Sequence, residues 1–123
     1  MKRLVTMLSA GVAAWVLSAS ALAADPVVVT PAQIDAAKTP ADHEAIAAAY
    51  DAEATRLEGM AQQHESMANS YKSASSKKGM GSAAMNAHCA KLSGLYSDAA
   101  KENRDLAAEH RKMAVDAAHS QHH

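Results

Sequence analysis

The stretch AQQHESMA, residues 61–68, decides the fold, because it returns as AAEHRKMA at residues 107–114. Both copies read A-x-x-H-x-x-M-A, and at the same offset of 46 residues Tyr50 falls on Tyr96 and Ala54 on Ala100. Residues three apart lie on one face of a helix, so each copy predicts a helix that carries a His and a Met side by side. The repeat as a whole predicts a hairpin with two similar arms.

Small and apolar side chains continue this pattern as heptads. With His43 at position a, the following a positions are Tyr50, Leu57, His64 and Tyr71, and positions e at 47, 54, 61 and 68 are all Ala. The second arm has Cys89, Tyr96 and His110 at a, with Met85, Leu92, Leu106 and Met113 at d. Such 3.5-residue seams predict helices over 40–72 and 83–118, and the small, polar, Gly-containing segment 73–82 predicts the loop between them.

Helix-start signals precede the first arm. Thr30-Pro31-Ala32-Gln33 and Thr39-Pro40-Ala41-Asp42 each place a capping Thr before a Pro at the first helical position, which predicts a short helix near 31–38. The fold class is therefore all-α: an antiparallel two-helix hairpin with a short N-terminal helix. Because a lone hairpin buries one narrow stripe per helix, we expect two copies to pair into a four-helix bundle, or the hairpin to pack on an envelope protein partner.

The N-terminus carries the features of a bacterial secretory signal. Lys2 and Arg3 precede an apolar run over 4–17, and residues 21–23 form an A-x-A cleavage site. The run is short for a membrane span. We expect residues 1–23 to be removed, which leaves an extended leader and short helix (24–39), the hairpin (40–118), a His-containing tail (119–123) and a periplasmic location.

The composition excludes several function classes. Without Lys2 and Arg3 the charge is 10 Lys+Arg against 13 Asp+Glu, or −3, so nothing neutralises phosphates and nucleic acid is an improbable partner. Motifs for hydrolases, zinc proteases, phosphate loops and covalent c-type haem are absent, which predicts a protein that is not an enzyme. Cys89 is the sole cysteine and has no internal disulfide partner in an oxidising compartment.

Soft metal ligands gather at the loop end when the arms are folded about residues 77–78, so that residue i faces roughly residue 156 − i. Thiolate, thioether and imidazole together favour Cu(I), with Zn(II) as the competitor. The predicted ligands are His64, Met67, Met85, His88 and Cys89, and a weaker set at the other end is His43, His110 and Met113, with His43 facing Met113.

Each of these residues also has a structural interpretation. Met at a or d is an ordinary gap filler, a buried Cys is a small hydrophobic residue, and a seam His is often hydrogen-bonded to Tyr or Glu across the seam. Two functions therefore stay open: a periplasmic copper-binding protein that acts as buffer, carrier or stress-related protein, and a structural or protein-interaction helical module of the cell envelope.

A longer pattern supports export. It consists of T-P-x-D-H at 39–43, Tyr50, A-x-x-H-x-x-M-A-x-x-Y at 61–71, M-x-x-H-C at 85–89 and A-x-x-H-R-x-M-A at 107–114. This pattern resembles a family of short exported proteobacterial helical-hairpin proteins, and the resemblance implies export and the hairpin but no activity. More loosely, the chain is similar to small periplasmic metal-binding proteins built from His-bearing heptads, though it has fewer histidines.

Overall fold

The computed structural model describes residues 25–78 and 80–121, with residues 75–78, 80 and 81 described by their backbone alone. An extended segment at 25–30 leads into helix α1 (Pro31–Ala36), followed by α2 (Pro40–Lys78) and α3 (Met80–Ser120). No strand occurs within those residues, so the all-α prediction is confirmed. The predicted signal peptide and the last two histidines of the tail lie outside the described residues.

Both predicted helix starts are present. At α1, Thr30 and Gln33 exchange hydrogen bonds: the Gln33 amide donates to Thr30 Oγ1 and the Thr30 amide donates to Gln33 Oε1 at 2.8 Å. At α2, the Asp42 amide donates to Thr39 Oγ1 at 3.1 Å, while Asp42 Oδ2 accepts from the Thr39 amide at 2.9 Å. Such reciprocal bonds satisfy amides that a helix start leaves without partners.

The two long helices extend further than the sequence predicts. Segment 73–82 was expected to be a loop, but α2 continues to Lys78 and α3 begins at Met80. The serines of this region are compatible with helix because their hydroxyls bond within it: Ser70 Oγ donates to the Ser66 carbonyl at 3.1 Å, and Ser73 Oγ to the Asn69 carbonyl at 3.0 Å.

Helices α2 and α3 pack against each other along their length and run antiparallel. Near residue 79, Asn86 Nδ2 donates to the Ala68 carbonyl at 2.7 Å, and further along, Arg104 bonds to Glu58 at 2.8 Å. The residue numbers of the partners on α3 therefore increase as those on α2 decrease. The pairing lies within two helical turns of the predicted register.

Alanines form the centre of the α2–α3 interface. The e-position alanines at 47, 54, 61, 68, 100, 107 and 114 are at most 6% exposed, and Ile46 and Leu57 are the larger aliphatic side chains buried with them. The sequence pattern placed positions a and d at the centre with e beside them. Because Ala permits close approach of the backbones, e lies on the line of closest approach, and the d residues Met85, Leu92, Leu106 and Met113 of α3 stay 38–45% exposed.

The helix pair has an ionic face and a second face that is apolar along α3. At b positions, Arg111 pairs with Asp51 at 2.6 Å and Arg104 with Glu58 at 2.8 Å. Since b and d lie on opposite sides of the seam, the d rows of both helices share the other face. The leader crosses α2 there, with the Val27 amide donating to Glu53 Oε2 at 3.0 Å. No helix in the described residues combines the length and apolarity needed to cross a bilayer.

Candidate functional site

A first aromatic cluster lies at the end of the helix pair remote from residue 79. The a-position residues His43 and Tyr50 of α2 flank His110 of α3, with ring centroids 5.5 Å and 5.7 Å from that of His110. Because His43 and Tyr50 are seven residues apart, their rings stand on the same side of α2, two turns from each other. The α3 imidazole therefore contacts both.

The two imidazoles of this cluster face each other through the same ring atom. His43 Nδ1 and His110 Nδ1 are 3.3 Å apart, so one of them donates a hydrogen bond and the other accepts it. His110 is 7% exposed and His43 is half-buried. Burial, assisted by the neighbouring His43, lowers the pKa of His110 and so favours the neutral ring.

A second cluster occurs nearer the junction of α2 and α3. His64 stacks on Tyr96 with ring centroids 5.4 Å apart and an interplanar angle of 22°. The Nδ1 atom of His64 is buried and has no hydrogen-bond partner among the described residues. Buried polar atoms are nearly always satisfied, so this nitrogen requires an explanation.

The two clusters are related by an internal two-fold that matches the sequence repeat. A shift of 46 residues that also exchanges the helices converts the Tyr50–His110 contact into the Tyr96–His64 contact. Near the axis lie pairs that are their own counterparts, such as Glu58 with Arg104 and, in one buried cluster, Ala54 with Ala100. The two copies of the repeat therefore make the same contacts with the roles of α2 and α3 exchanged.

One pair of equivalent positions in the repeat carries side chains of different chemistry. Residue 89 is the counterpart of residue 43 and residue 64 the counterpart of residue 110. The pair His43 and His110 thus corresponds to Cys89 and His64. A thiol replaces an imidazole, which changes a borderline ligand into a soft one.

The predicted loop-end ligands differ in exposure. Cys89 is a free thiol, 5% exposed, while His64 and Met67 are half-buried. Met85 is 43% exposed and His88 is exposed, although both lie within one turn of Cys89. The thiol is therefore directed into the helix pair, and its two neighbours on α3 border solvent.

The described residues contain no group of three or more His, Cys, Asp or Glu side chains arranged to hold a metal. His64, His88 and Cys89 therefore do not form one three-ligand group. At the other end, His43 contacts His110, and Met113, its predicted neighbour, is 45% exposed. A helical side chain leans over the turn preceding its own Cα, so the facing residue differs from the one at the same height.

Sequence reasoning did not identify Tyr50 and Tyr96 as partners of the histidines. Their signal was in the repeat, because in each copy the Tyr precedes the His by 14 residues, or two heptads, and so shares its row. Antiparallel arms with that spacing bring each Tyr to the His of the other arm.

Comparison with known proteins found no relative: no protein-family model matches the chain, and no curated protein or solved structure matches it significantly. The residues of this chain are therefore the basis for assigning its function.

Proposed function

We propose that the chain is an exported, periplasmic protein that binds a soft metal, Cu(I), as a buffer, carrier or stress-related protein. The observation that supports this most is the buried Nδ1 of His64, which has no hydrogen-bond partner among the described residues. An unsatisfied buried polar atom costs about 1–3 kcal/mol. A metal bound to the nitrogen would remove that cost, whereas a purely structural histidine would be expected to have a partner.

Cys89 and Met67 are the most suitable companions for His64. Cys89 is buried, has no cysteine to pair with in its own chain, and lies on the helix that faces His64. Cu(I) is satisfied by two or three soft ligands, so thiolate, imidazole and the thioether of Met67 suffice. Zn(II), the runner-up, prefers four ligands and fits this set less well. Met85 and His88 adjoin Cys89 and complete the candidates.

Anaerobic titration with Cu(I) against a competing chelator tests the proposal. We expect one tightly held Cu(I) per chain, and loss of at least about tenfold in affinity for Cys89→Ser and for His64→Asn. His119→Asn, which removes an exposed imidazole of α3, is the matched control and should change little. Since the metal displaces the thiol proton, affinity should fall on acidification. Equal retention of Cu(I) by wild type and Cys89→Ser would reject the site.

A second candidate function, a protein-interaction module, is favoured by the exposed apolar row on α3. We propose that this row pairs with a second copy of the hairpin to form a four-helix bundle. The row runs from Met85 to Met113, or about 42 Å at 1.5 Å per residue. The leader already crosses the α2 half of this face at Glu53, so the α3 row is the part that a second copy would cover.

Sedimentation of the full mature chain tests this pairing. We expect a dimer at tens of micromolar, and dissociation for the double variant Leu92→Glu and Leu106→Glu. Val115→Glu is the matched control, because Val115 is 54% exposed but belongs to a different face of α3. A compact wild-type monomer with a cooperative thermal transition would contradict the bundle.

A further inference from the structure

We infer that His43 and His110 form a second metal site, a two-imidazole chelate for a divalent cation of the zinc class. The site lies at the end of the helix pair remote from residue 79, and Cys89 does not take part in it. It goes beyond the proposed copper function and does not depend on it.

The distance between the two ring nitrogens is compatible with a tetrahedral ion. Two nitrogens held at about 2.0–2.1 Å by a tetrahedral ion lie about 3.3–3.4 Å apart, whereas two-coordinate linear Cu(I) would separate them by about 4 Å. The observed separation of His43 Nδ1 and His110 Nδ1 is 3.3 Å. The rings are therefore already spaced for a tetrahedral ion.

The protonation of the rings suits a cation as well. The metal binds neutral imidazole, and the contact between the two Nδ1 atoms requires that at least one of them carry no proton. When the metal enters, the hydrogen shared between the two Nδ1 atoms moves to Nε2 of its own ring. Both rings then present Nδ1 lone pairs, and two neutral imidazoles release no net proton.

The surroundings of the pair carry negative charge. Asp42 precedes His43 on the first turn of α2 and interacts with it electrostatically, whereas Glu44 and Asp51 both pair with Arg111 of α3. The Asp42 carboxylate therefore favours a cation over an anion beside His43. His43 is half-buried, so the remaining coordination positions are accessible to water.

Zinc binding here would link two helices through residues 67 positions apart, and that makes it measurable apart from any binding by the tail histidines. We expect the full mature chain to bind about one equivalent of Zn²⁺. At Zn²⁺ concentrations above the dissociation constant, its melting temperature should rise by several degrees. A metal held by His119 or its neighbours in the tail does not join α2 to α3 and gives no such rise.

The variants His43→Asn and His110→Asn should each abolish the zinc-induced rise relative to their own metal-free proteins. His119→Asn is the control with the same number of histidines, and it should keep the full rise. Cys89→Ser should also keep it, while His110→Asn should keep its affinity for Cu(I). If wild type shows the zinc-induced rise but does not bind Cu(I), the proposed copper function is wrong and this site is unaffected.

A second measurement does not require the variants to fold. Co²⁺ added to wild type should give the strong visible absorption of a tetrahedral ion, and Zn²⁺ should bleach it. In the proton NMR spectrum, Zn²⁺ should shift the ring resonances of His43 and His110 together. Unchanged melting, the weak absorption of octahedral Co²⁺ and unshifted resonances would show a hydrogen-bonded histidine pair only, and would overturn the inference.

Discussion

At the residue scale, the size of the side chain at each helical position determines how closely α2 and α3 approach. Ala54 is completely buried and Ala100 is 2% exposed, and both belong to the buried cluster around Leu57. Neither offers much apolar area to bury. Because their side chains are small, the backbones and the flanking a-position side chains can make contact.

Ala54→Leu should therefore destabilise the chain. The added atoms have no space at the line of closest approach, and overpacking of this kind costs about 1–3 kcal/mol. Urea unfolding followed by circular dichroism measures the change. Ala52→Leu, an exposed position of the same helix, should leave the unfolding midpoint almost unchanged. Equal stability of the two variants would contradict close packing at Ala54.

Gly94→Ala should stabilise the chain by about 1 kcal/mol, because Gly is the poorest non-proline residue in a helix interior. A Cβ built on Gly94 meets nothing within 4 Å, and the same is true of Gly59, so the gain carries no steric cost. Chemical denaturation measures it. The reverse change at an exposed site of α2, Ala48→Gly, should lose a similar amount. A destabilised Gly94→Ala would indicate an unseen contact at that face.

The sequence identified the residues of the seam but not their individual partners. The e-position alanines and the a-position histidines were read from the heptads. The contact of His43 with His110 was not, because a partner on an antiparallel helix depends on the direction and length of each side chain. Met113 and His110 are only three residues apart on α3, and the heptad periodicity alone does not determine which of them lies against His43.

At the scale of the element, α2 begins with a charged cap. Asp42 accepts hydrogen bonds from the amides of Lys38 and Thr39, and these bonds lower its pKa to about 2 from its ordinary value of 3.8. The folded state thus favours the carboxylate. The contribution of this charge to stability is complete above the unfolded value and is lost as pH falls through about 2.

Asp42→Asn should therefore be less stable than wild type at neutral pH, and the difference should shrink as pH falls from about 4 to about 2. Thermal unfolding across that range measures it. Asp116→Asn, an exposed carboxylate of α3, should show no comparable convergence. A difference between wild type and Asp42→Asn that stays constant with pH would contradict the role of the charge.

Helix starts were predictable and the α2–α3 junction was not. Capping by Thr30 and Thr39 is local, and each signal lies within four residues of sequence. The segment after residue 72 contains Ser, Lys and Gly, which are typical of loops, yet Ser73 bonds within α2. Propensity is a weak prior there, and adding residues to a helix that has already formed costs little.

At the scale of the whole molecule, the ionic face should contribute little to stability. Arg104 with Glu58 and Arg111 with Asp51 are 35–46% exposed, and exposed pairs are screened by salt. Arg111→Gln should therefore cause a loss far smaller than Ala54→Leu, and 1 M NaCl should remove it. Unfolding at low and high salt measures this, with Lys91→Gln, at an exposed position of α3, as control. A large, salt-independent loss would show that the pair helps to set the register.

The repeat predicted the symmetry of the molecule but not which side chains are buried in each of its two halves. An offset of 46 residues implies equivalent arms, and the Tyr–His contacts follow it. The predicted convergence of loop-end ligands assumed that residues in one turn share an environment. In the structure Cys89 is buried while His88 is exposed, since adjacent helical residues point about 100° apart.

The tyrosine–histidine contacts also provide optical reporters. Trp15 is the only tryptophan, it lies in the predicted signal peptide, and the chain has no Phe. Near-ultraviolet absorption and emission of the processed chain would then come from three tyrosines. Two of them, Tyr50 and Tyr96, lie against histidines in the two separate clusters. With Tyr71 and one of these two replaced by Leu, the light emitted by the remaining tyrosine follows events in its own cluster, without any attached dye.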